Sequence, residues 1–201
     1  MTTGMFVSLD GIDGVGKSTQ INLLADHFRN QGREVLCVRD PGTTAVGTRL
    51  REILLSSDLT MHRRTEAIIF MASRSELVET LIRPALAEGK VVISDRFLLS
   101  TVVYQSIGGD VSADLLWQLG RMAAGNLSPD VTVVLDMPAV DSMSRIDRPA
   151  DRMESRGSGY MESVRQAFLQ QLPKASGTTA VVDANQAIET VAKQIRDLFP
   201  S

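Results

Sequence analysis

The stretch Gly11-Ile12-Asp13-Gly14-Val15-Gly16-Lys17-Ser18 decides the fold. It fits G-x-x-x-x-G-K-[ST] in full. The apolar run Met5 to Leu9, ending in Asp10, precedes it, and the helically spaced run Ile21 to Phe28 follows it. An ordinary Gly-rich turn has no need of such flanks. The glycines let the backbone curl so that amide N–H groups point inward at phosphate oxygens. The following helix adds the positive end of its dipole. Lys17 then reaches the β- and γ-phosphates, and the Ser18 hydroxyl is placed to ligate Mg²⁺. The stretch by itself predicts nucleotide binding, not a reaction.

Outward from this loop, short apolar runs alternate with helical patterns. Strand-like runs fall at Val35 to Val38, Val91 to Ile93 (ending at Asp95), Val131 to Leu135 and Thr179 to Val182. Helical patterns fall at Leu50 to Leu55, Arg63 to Ala87 with Pro84 as a kink, Ser100 to Ile107, Ala113 to Ala124, an interrupted stretch at 139–172, and Gln186 to Phe199. Short, non-alternating apolar strands predict a sheet buried on both faces, and strands separated by helices predict a parallel one. The expected fold is therefore a three-layer α/β/α P-loop arrangement with a five-stranded parallel sheet, built as one domain over 1–201. Ligands of such sheets bind at the carboxyl ends of the strands. Arg39, Asp95 and the glycine loop all fall there.

Composition narrows the class. The chain has 201 residues, 43% hydrophobic and 22% charged, enough to bury a core without metal or disulfide staples. Lys+Arg is 21 against Asp+Glu 24, a net charge of −3, which does not favour a non-specific nucleic-acid binder. The single cysteine, Cys37, has no internal partner, so a reducing, cytoplasmic setting is expected, with Cys37 as a small core residue. Two histidines rule out a Cys/His zinc cluster. No apolar run approaches the ~20 residues of a membrane span, and Met1 to Gly4 does not open a leader pattern. No tetrapeptide fits [NT]-K-x-D, which weakens a GTPase reading.

Four further groups carry chemistry. Asp95-Arg96-Phe97 ends the third strand, where Asp95 is placed to hold Mg²⁺ and Arg96 to clamp a second phosphate. Arg39-Asp40-Pro41-Gly42-Thr43 ends the second; taken alone it is a plain turn. Phe70 and Arg74 are spaced i and i+4, so they share one helix face. Such a pair sandwiches a planar base, or else is a core Phe beside a solvated Arg. Finally, Arg145, Arg148, Arg152, Arg156 and Arg165 cluster around Pro149, Gly157 and Gly159. This is the composition of an arginine-bearing lid at about 145–160, or of a solvated helix face paired with Asp147, Asp151, Glu154 and Glu162. Phosphoryl transfer needs such cations and the exclusion of water.

Together these residues resemble the thymidylate kinases, P-loop nucleoside-monophosphate kinases. The resemblance covers nearly the whole chain: F-x-x-x-[DE]-G-I-D-G-x-G-K-S-T-Q at Phe6 to Gln20, R-[DE]-P-G at the second strand, D-R-[FY] followed by S-x-x-x-Y-Q at Ser100 to Gln105, D-R-x-E at Asp151 to Glu154, V-R-x-x-[FY] at Val164 to Phe168, and Val182-Asp183-Ala184. It implies transfer of the γ-phosphate of ATP to dTMP, giving dTDP and ADP, with Mg²⁺ as cofactor. It implies that Gly11, Ile12, Asp13, Gly14, Val15, Gly16, Lys17, Ser18, Thr19 and Arg145 hold ATP, and that Ser18 and Asp95 serve the metal. Asp13 would sit near the acceptor nucleotide and the transferring phosphate, Arg39 and Arg96 would position the acceptor phosphate, Phe70 would stack on thymine with Arg74 against it, Thr101 and Gln105 would lie near the base, and Ser100 would belong to the substrate-binding set. Tyr104 would crowd the sugar 2′ position. Gly14 stands where some members carry arginine. Members with glycine there draw the catalytic arginine from the lid, which points to Arg145, Arg148 or Arg152. A homodimer is the family's usual assembly.

The chain departs from the family pattern at Asp40 (commonly Glu), Thr43 (Gly), Val103 (Ala), Ser106 (Gly) and Thr101 (Ser or Asn). None removes a group the chemistry needs. Two other readings stand beside this one: a kinase for a different monophosphate, and a nucleotide-binding regulatory or scaffold protein without turnover.

Overall fold

The computed structural model of the chain describes residues 3–56, 58–108, 111–147 and 157–199. Five parallel strands form its sheet: β1 (Met5–Asp10), β2 (Val35–Arg39), β3 (Val91–Asp95), β4 (Val131–Asp136) and β5 (Thr178–Asp183), in the order β2-β3-β1-β4-β5. Burial follows position. The three central strands are almost wholly buried, and the edge strands β2 and β5 are partly exposed. Runs such as Val91-Val92-Ile93 and Val133-Val134-Leu135 are apolar at successive residues because both of their faces are covered. Cys37 corrects an expectation. It lies on the edge strand β2 and is exposed rather than in the core.

The helices are α1 (Lys17–Asn30), α2 (Ala45–Leu55), α3 (Arg63–Leu77), α4 (Arg83–Ala87), α5 (Leu98–Ser106), α6 (Ala113–Ala123), α7 (Ala139–Ser144), α8 (Ser158–Gln171) and α9 (Ile188–Arg196). Helices α1 and α9 pack together against the sheet, while α5 is surrounded by α3, α6 and α8. Helix α2 begins five residues ahead of its apolar run because the Thr44 side chain caps it, accepting from Gly47 N at 2.8 Å; a cap of this kind satisfies an amide that the helix cannot. The long pattern from Arg63 to Ala87 is one helical path that widens into a π-turn over Val78–Ile82 before Pro84. The ring of Pro84 leaves one carbonyl without its donor, and the wider turn absorbs that loss. Trp117 is packed inside, 4% exposed, with its indole N–H donating to Gln171 Oε1 at 3.0 Å. No helix among the described residues is long and apolar enough to cross a membrane.

Topology places the site. The chain leaves β1 toward β2 and leaves β3 in the opposite direction, toward β4. The loops after these two adjacent strands therefore diverge and open a crevice at their carboxyl ends. The glycine loop follows β1, and Arg96 follows β3. Behind the crevice, Phe6 of β1 meets Phe97 edge to face, with ring centroids 5.0 Å apart and both residues nearly inaccessible. Phe6→Ala is expected to cost about 3–5 kcal/mol of stability, read by urea denaturation. A loss below about 1 kcal/mol would show that the strand pairing, not this ring contact, holds the two loops together.

Candidate active site

The loop from Gly11 to Gly16 turns through positive φ at Gly11, Gly14 and Gly16, a region open to glycine at little cost. Gly14 has a second reason to be glycine. A Cβ there would collide with the Ser142 carbonyl oxygen, on the backbone of α7. Lys17, at the start of α1, folds back over the loop. Its Nζ donates to the carbonyls of Ile12 at 2.8 Å and Gly11 at 3.2 Å and lies 3.6 Å from Asp13 Oδ1. Burial and then the neighbouring Arg96 charge lower its pKa to about 8, against the opposing pull of Asp13 and Asp95.

Arg96 joins the two loops. Its Nη1 donates to Gly11 O at 2.8 Å and to Ser100 Oγ at 3.0 Å, and its Nη2 donates to Asp13 Oδ1 at 2.8 Å. The guanidinium also lies 5.4 Å from the centre of the Tyr104 ring. Burial on its own would lower its pKa; the surrounding anions, Asp13 foremost, outweigh that and raise it. Arg39 donates from Nε to Asp95 Oδ2 at 3.2 Å, while Asp95 Oδ1 is buried and has no partner among the described residues.

These residues border one cavity of about 430 Å³, with Ser18 and Thr19 at its rim. Arg51 of α2 borders it too, a residue that the sequence analysis passed over. Its Nη1 donates to Pro41 O at 3.0 Å. Burial and then Arg39 and Arg96 lower its pKa. In sequence it is one of two arginines on its helix, and only the fold brings it to the turn at Pro41 and so to the crevice. Four cations thus meet two carboxylates, Asp13 and Asp95, around an open volume, the arrangement expected where phosphates bind.

A second polar cluster lies between α3 and α5. Arg74 is fully buried. Its Nε donates to Asp40 Oδ2 at 2.6 Å, its Nη2 donates to Thr101 Oγ1 at 2.7 Å, and it lies 5.2 Å from the Phe97 ring centre. Of the two readings given above for the Phe70–Arg74 face, a solvated Arg74 is excluded. Phe70 is half-buried on the preceding turn. Gln105 is fully buried, and among the described residues neither of its amide atoms has a partner, so this region holds hydrogen-bonding capacity to spare. Tyr104 is buried with its ring edge-on to Phe168 at 5.9 Å. Farther off, at the end of α7, Arg145 reaches Ala184 O at 3.4 Å and Asn185 Oδ1 at 3.3 Å, beside the end of β5. Arg148, Arg152 and Arg156 lie outside the described residues.

Ser18 and Asp95 suit a magnesium ion: both offer oxygen, and the buried, unpartnered Asp95 Oδ1 is an open ligand position. Among the described residues no group of three or more His, Cys, Asp or Glu side chains could hold a metal ion. An ion here would share its shell with phosphate oxygens and water, as Mg²⁺ commonly does. Gly14→Ala must move either the loop or α7. Its expected outcome is at least a hundred-fold loss of nucleotide affinity in calorimetry; unchanged affinity would show that the loop yields to the methyl group.

Comparison with known proteins gives a consistent result. The family model described as thymidylate kinase matches residues 9–195. A thymidylate kinase from Rhodopirellula baltica is 62% identical over 192 residues, which cover 96% of this chain and 78% of that protein. One from Ectopseudomonas mendocina is 40% identical over 202 residues, 99% of this chain and 96% of that protein. One from Thermosipho africanus is 37% identical over 195 residues, 96% of each. With a match from the end of β1 to the last turn of α9, the chain belongs to the thymidylate kinase family.

Proposed function

We propose that this chain is a single-domain, cytoplasmic kinase that transfers the γ-phosphoryl group of ATP to dTMP, giving dTDP and ADP. The observation that carries this reading is the convergence of Lys17, Arg39, Arg51 and Arg96 on one cavity beside the glycine loop. A phosphate monoester oxygen is already nucleophilic at neutral pH, so no strong general base is required. The obstacle is bringing two polyanions together, and a cluster of fixed cations removes it.

In this reading the loop amides and Lys17 hold the ATP phosphates, with Thr19 at the rim and Arg145 toward the adenine. Arg39 and Arg96 hold the dTMP phosphate, helped by Arg51. Asp13 keeps Arg96 oriented until the acceptor arrives. An oxygen of the dTMP phosphate bonds to Pγ as the bond from Pγ to the β,γ-bridging oxygen breaks, and ADP departs with that electron pair. Mg²⁺, held through Ser18 and Asp95, would spread the charge on the ATP phosphates. Phe70, Arg74, Ser100, Thr101, Tyr104 and Gln105 form the nucleoside side of the site. Gly14 offers no side chain, so the arginine that other members place there is assigned to Arg145, Arg148 or Arg152. A homodimer is also proposed. It is supported by Ile68 on α3 with Leu115 and Met122 on α6, large apolar side chains 59%, 54% and 70% exposed on two helices that pack together.

The test is ADP release with ATP and Mg²⁺ against dTMP, dUMP, dCMP, dGMP, UMP, CMP, AMP and GMP, with Lys17→Ala as control. Activity with dTMP alone, or with dUMP far behind, is the expected outcome. Activity on another monophosphate only would overturn the base-pocket assignment, and silence across the panel from folded protein would favour a binder without turnover. The pH dependence follows from Lys17. Its pKa is about 8 in the free protein, and bound phosphates favour its charged form and raise that value. ATP binding is therefore expected to take up a proton between pH 8 and 10, and affinity to weaken as pH rises through that range. Calorimetry at pH 8.5 in buffers of different ionisation enthalpy measures the uptake. Identical heats in all buffers would contradict it.

A further inference from the structure

Asp10 is the last residue of β1 and is fully buried. It does not border the cavity at the glycine loop. Ionised side chains are rarely buried without compensation. Lys17 and Arg74 have salt-bridge partners, whereas among the described residues Asp10 has no direct ion pair. Instead it accepts three hydrogen bonds: from Ser100 Oγ at 2.6 Å and Phe97 N at 3.4 Å on Oδ1, and from Ser8 Oγ at 2.9 Å on Oδ2.

Two of these bonds bracket Arg96. Phe97 N belongs to the residue that follows it. Ser100 Oγ is the group that accepts from Arg96 Nη1 at 3.0 Å. A carboxylate only accepts hydrogen bonds, so the single Ser100 proton is committed to Asp10. The lone pairs of Ser100 are then left facing the guanidinium, and Asp10 thereby fixes which way this hydroxyl points. The backbone of Arg96 needs such support. It sits at φ 69, a conformation that costs a non-glycine residue about 1 kcal/mol or more and persists only where its surroundings enforce it. Its N–H donates to Leu9 O at 3.0 Å, so the residues at the end of β1 hold both its backbone and its side chain.

We infer that Asp10 is a positioning residue for the acceptor phosphate: it touches neither nucleotide but sets the orientation of Arg96 through Ser100 and the Phe97 amide. Its negative charge also favours the charged guanidinium nearby. The inference rests on the reading in which Arg96 holds the dTMP phosphate, and a double-mutant cycle separates the two.

The experiment is calorimetric titration of dTMP into the full chain and into Asp10→Asn, Arg96→Ala and the double variant. Asp10→Asn, of equal size but uncharged, is expected to weaken dTMP at least ten-fold in the native background. In the Arg96→Ala background it should change affinity by less than two-fold, because the group through which it acts is gone. Ser8→Ala, which removes one bond to the carboxylate and leaves Arg96 untouched, gives a second arm should Asp10→Asn not fold. About a three-fold weakening is expected, again absent without Arg96. ATP affinity should stay within two-fold of native in both single variants. An equal loss in both backgrounds, or native affinity in Asp10→Asn, overturns the role of Asp10. Native dTMP affinity in Arg96→Ala overturns the assignment of Arg96 instead.

Discussion

Arg96 spans the crevice that the topology opens. Its guanidinium bonds to Asp13 and to the Gly11 carbonyl on the loop after β1 and to Ser100 on the helix after β3. Much of the site follows from that bridge. It sets how far apart the phosphate loop and the start of α5 stand. It aligns Tyr104 against the guanidinium. It also holds Asp13 beside Lys17, so the two cations share one carboxylate oxygen. The three bonds of the guanidinium, at 2.8, 3.0 and 2.8 Å, are short and partly buried, where charge-assisted bonds are strong.

The same bridge leaves the site electrostatically incomplete. Lys17, Arg39, Arg51 and Arg96 face one another across a cavity with two carboxylates among them. Burial first, and then that crowding, depresses the pKa values of Lys17 and Arg51. In the proposed mechanism, ligand phosphates supply the missing negative charge. Binding energy and orientation therefore come from one source: the anions relieve repulsion that the fold has already built in. The buried Arg74–Asp40 pair is arranged differently. Its charges are matched, so it gives a fixed frame, and the Gln105 amide, without a partner among the described residues, is the group proposed to read a ligand.

The parallel sheet and the glycine loop were legible in the sequence because their signals are local. Buried strands show as apolar runs, and the loop needs glycine at fixed spacing. Asp95 and Arg96 were legible because they end such a run. Arg51, Asp10 and the Asp40–Arg74 pair were not, since each depends on residues distant in sequence. Arg51 reads as one more arginine on a helix until the fold brings it to the turn at Pro41. Cys37 misled for a related reason: a strand at the edge of a sheet has the same local pattern as a covered one, and only strand order reveals its exposure. The start of α2 was hidden by a polar first turn whose signal is the Thr44 cap rather than apolar spacing.

The central claim is that the crevice directs phosphoryl transfer between two nucleotides and not to water. Its most direct measurement is the fate of the label from ATP carrying ³²P at the γ position, incubated with Mg²⁺, dTMP and the full chain. The label is expected in the β-phosphate of dTDP, with little free phosphate formed. Label released mainly as inorganic phosphate, at a rate indifferent to dTMP, would contradict the claim.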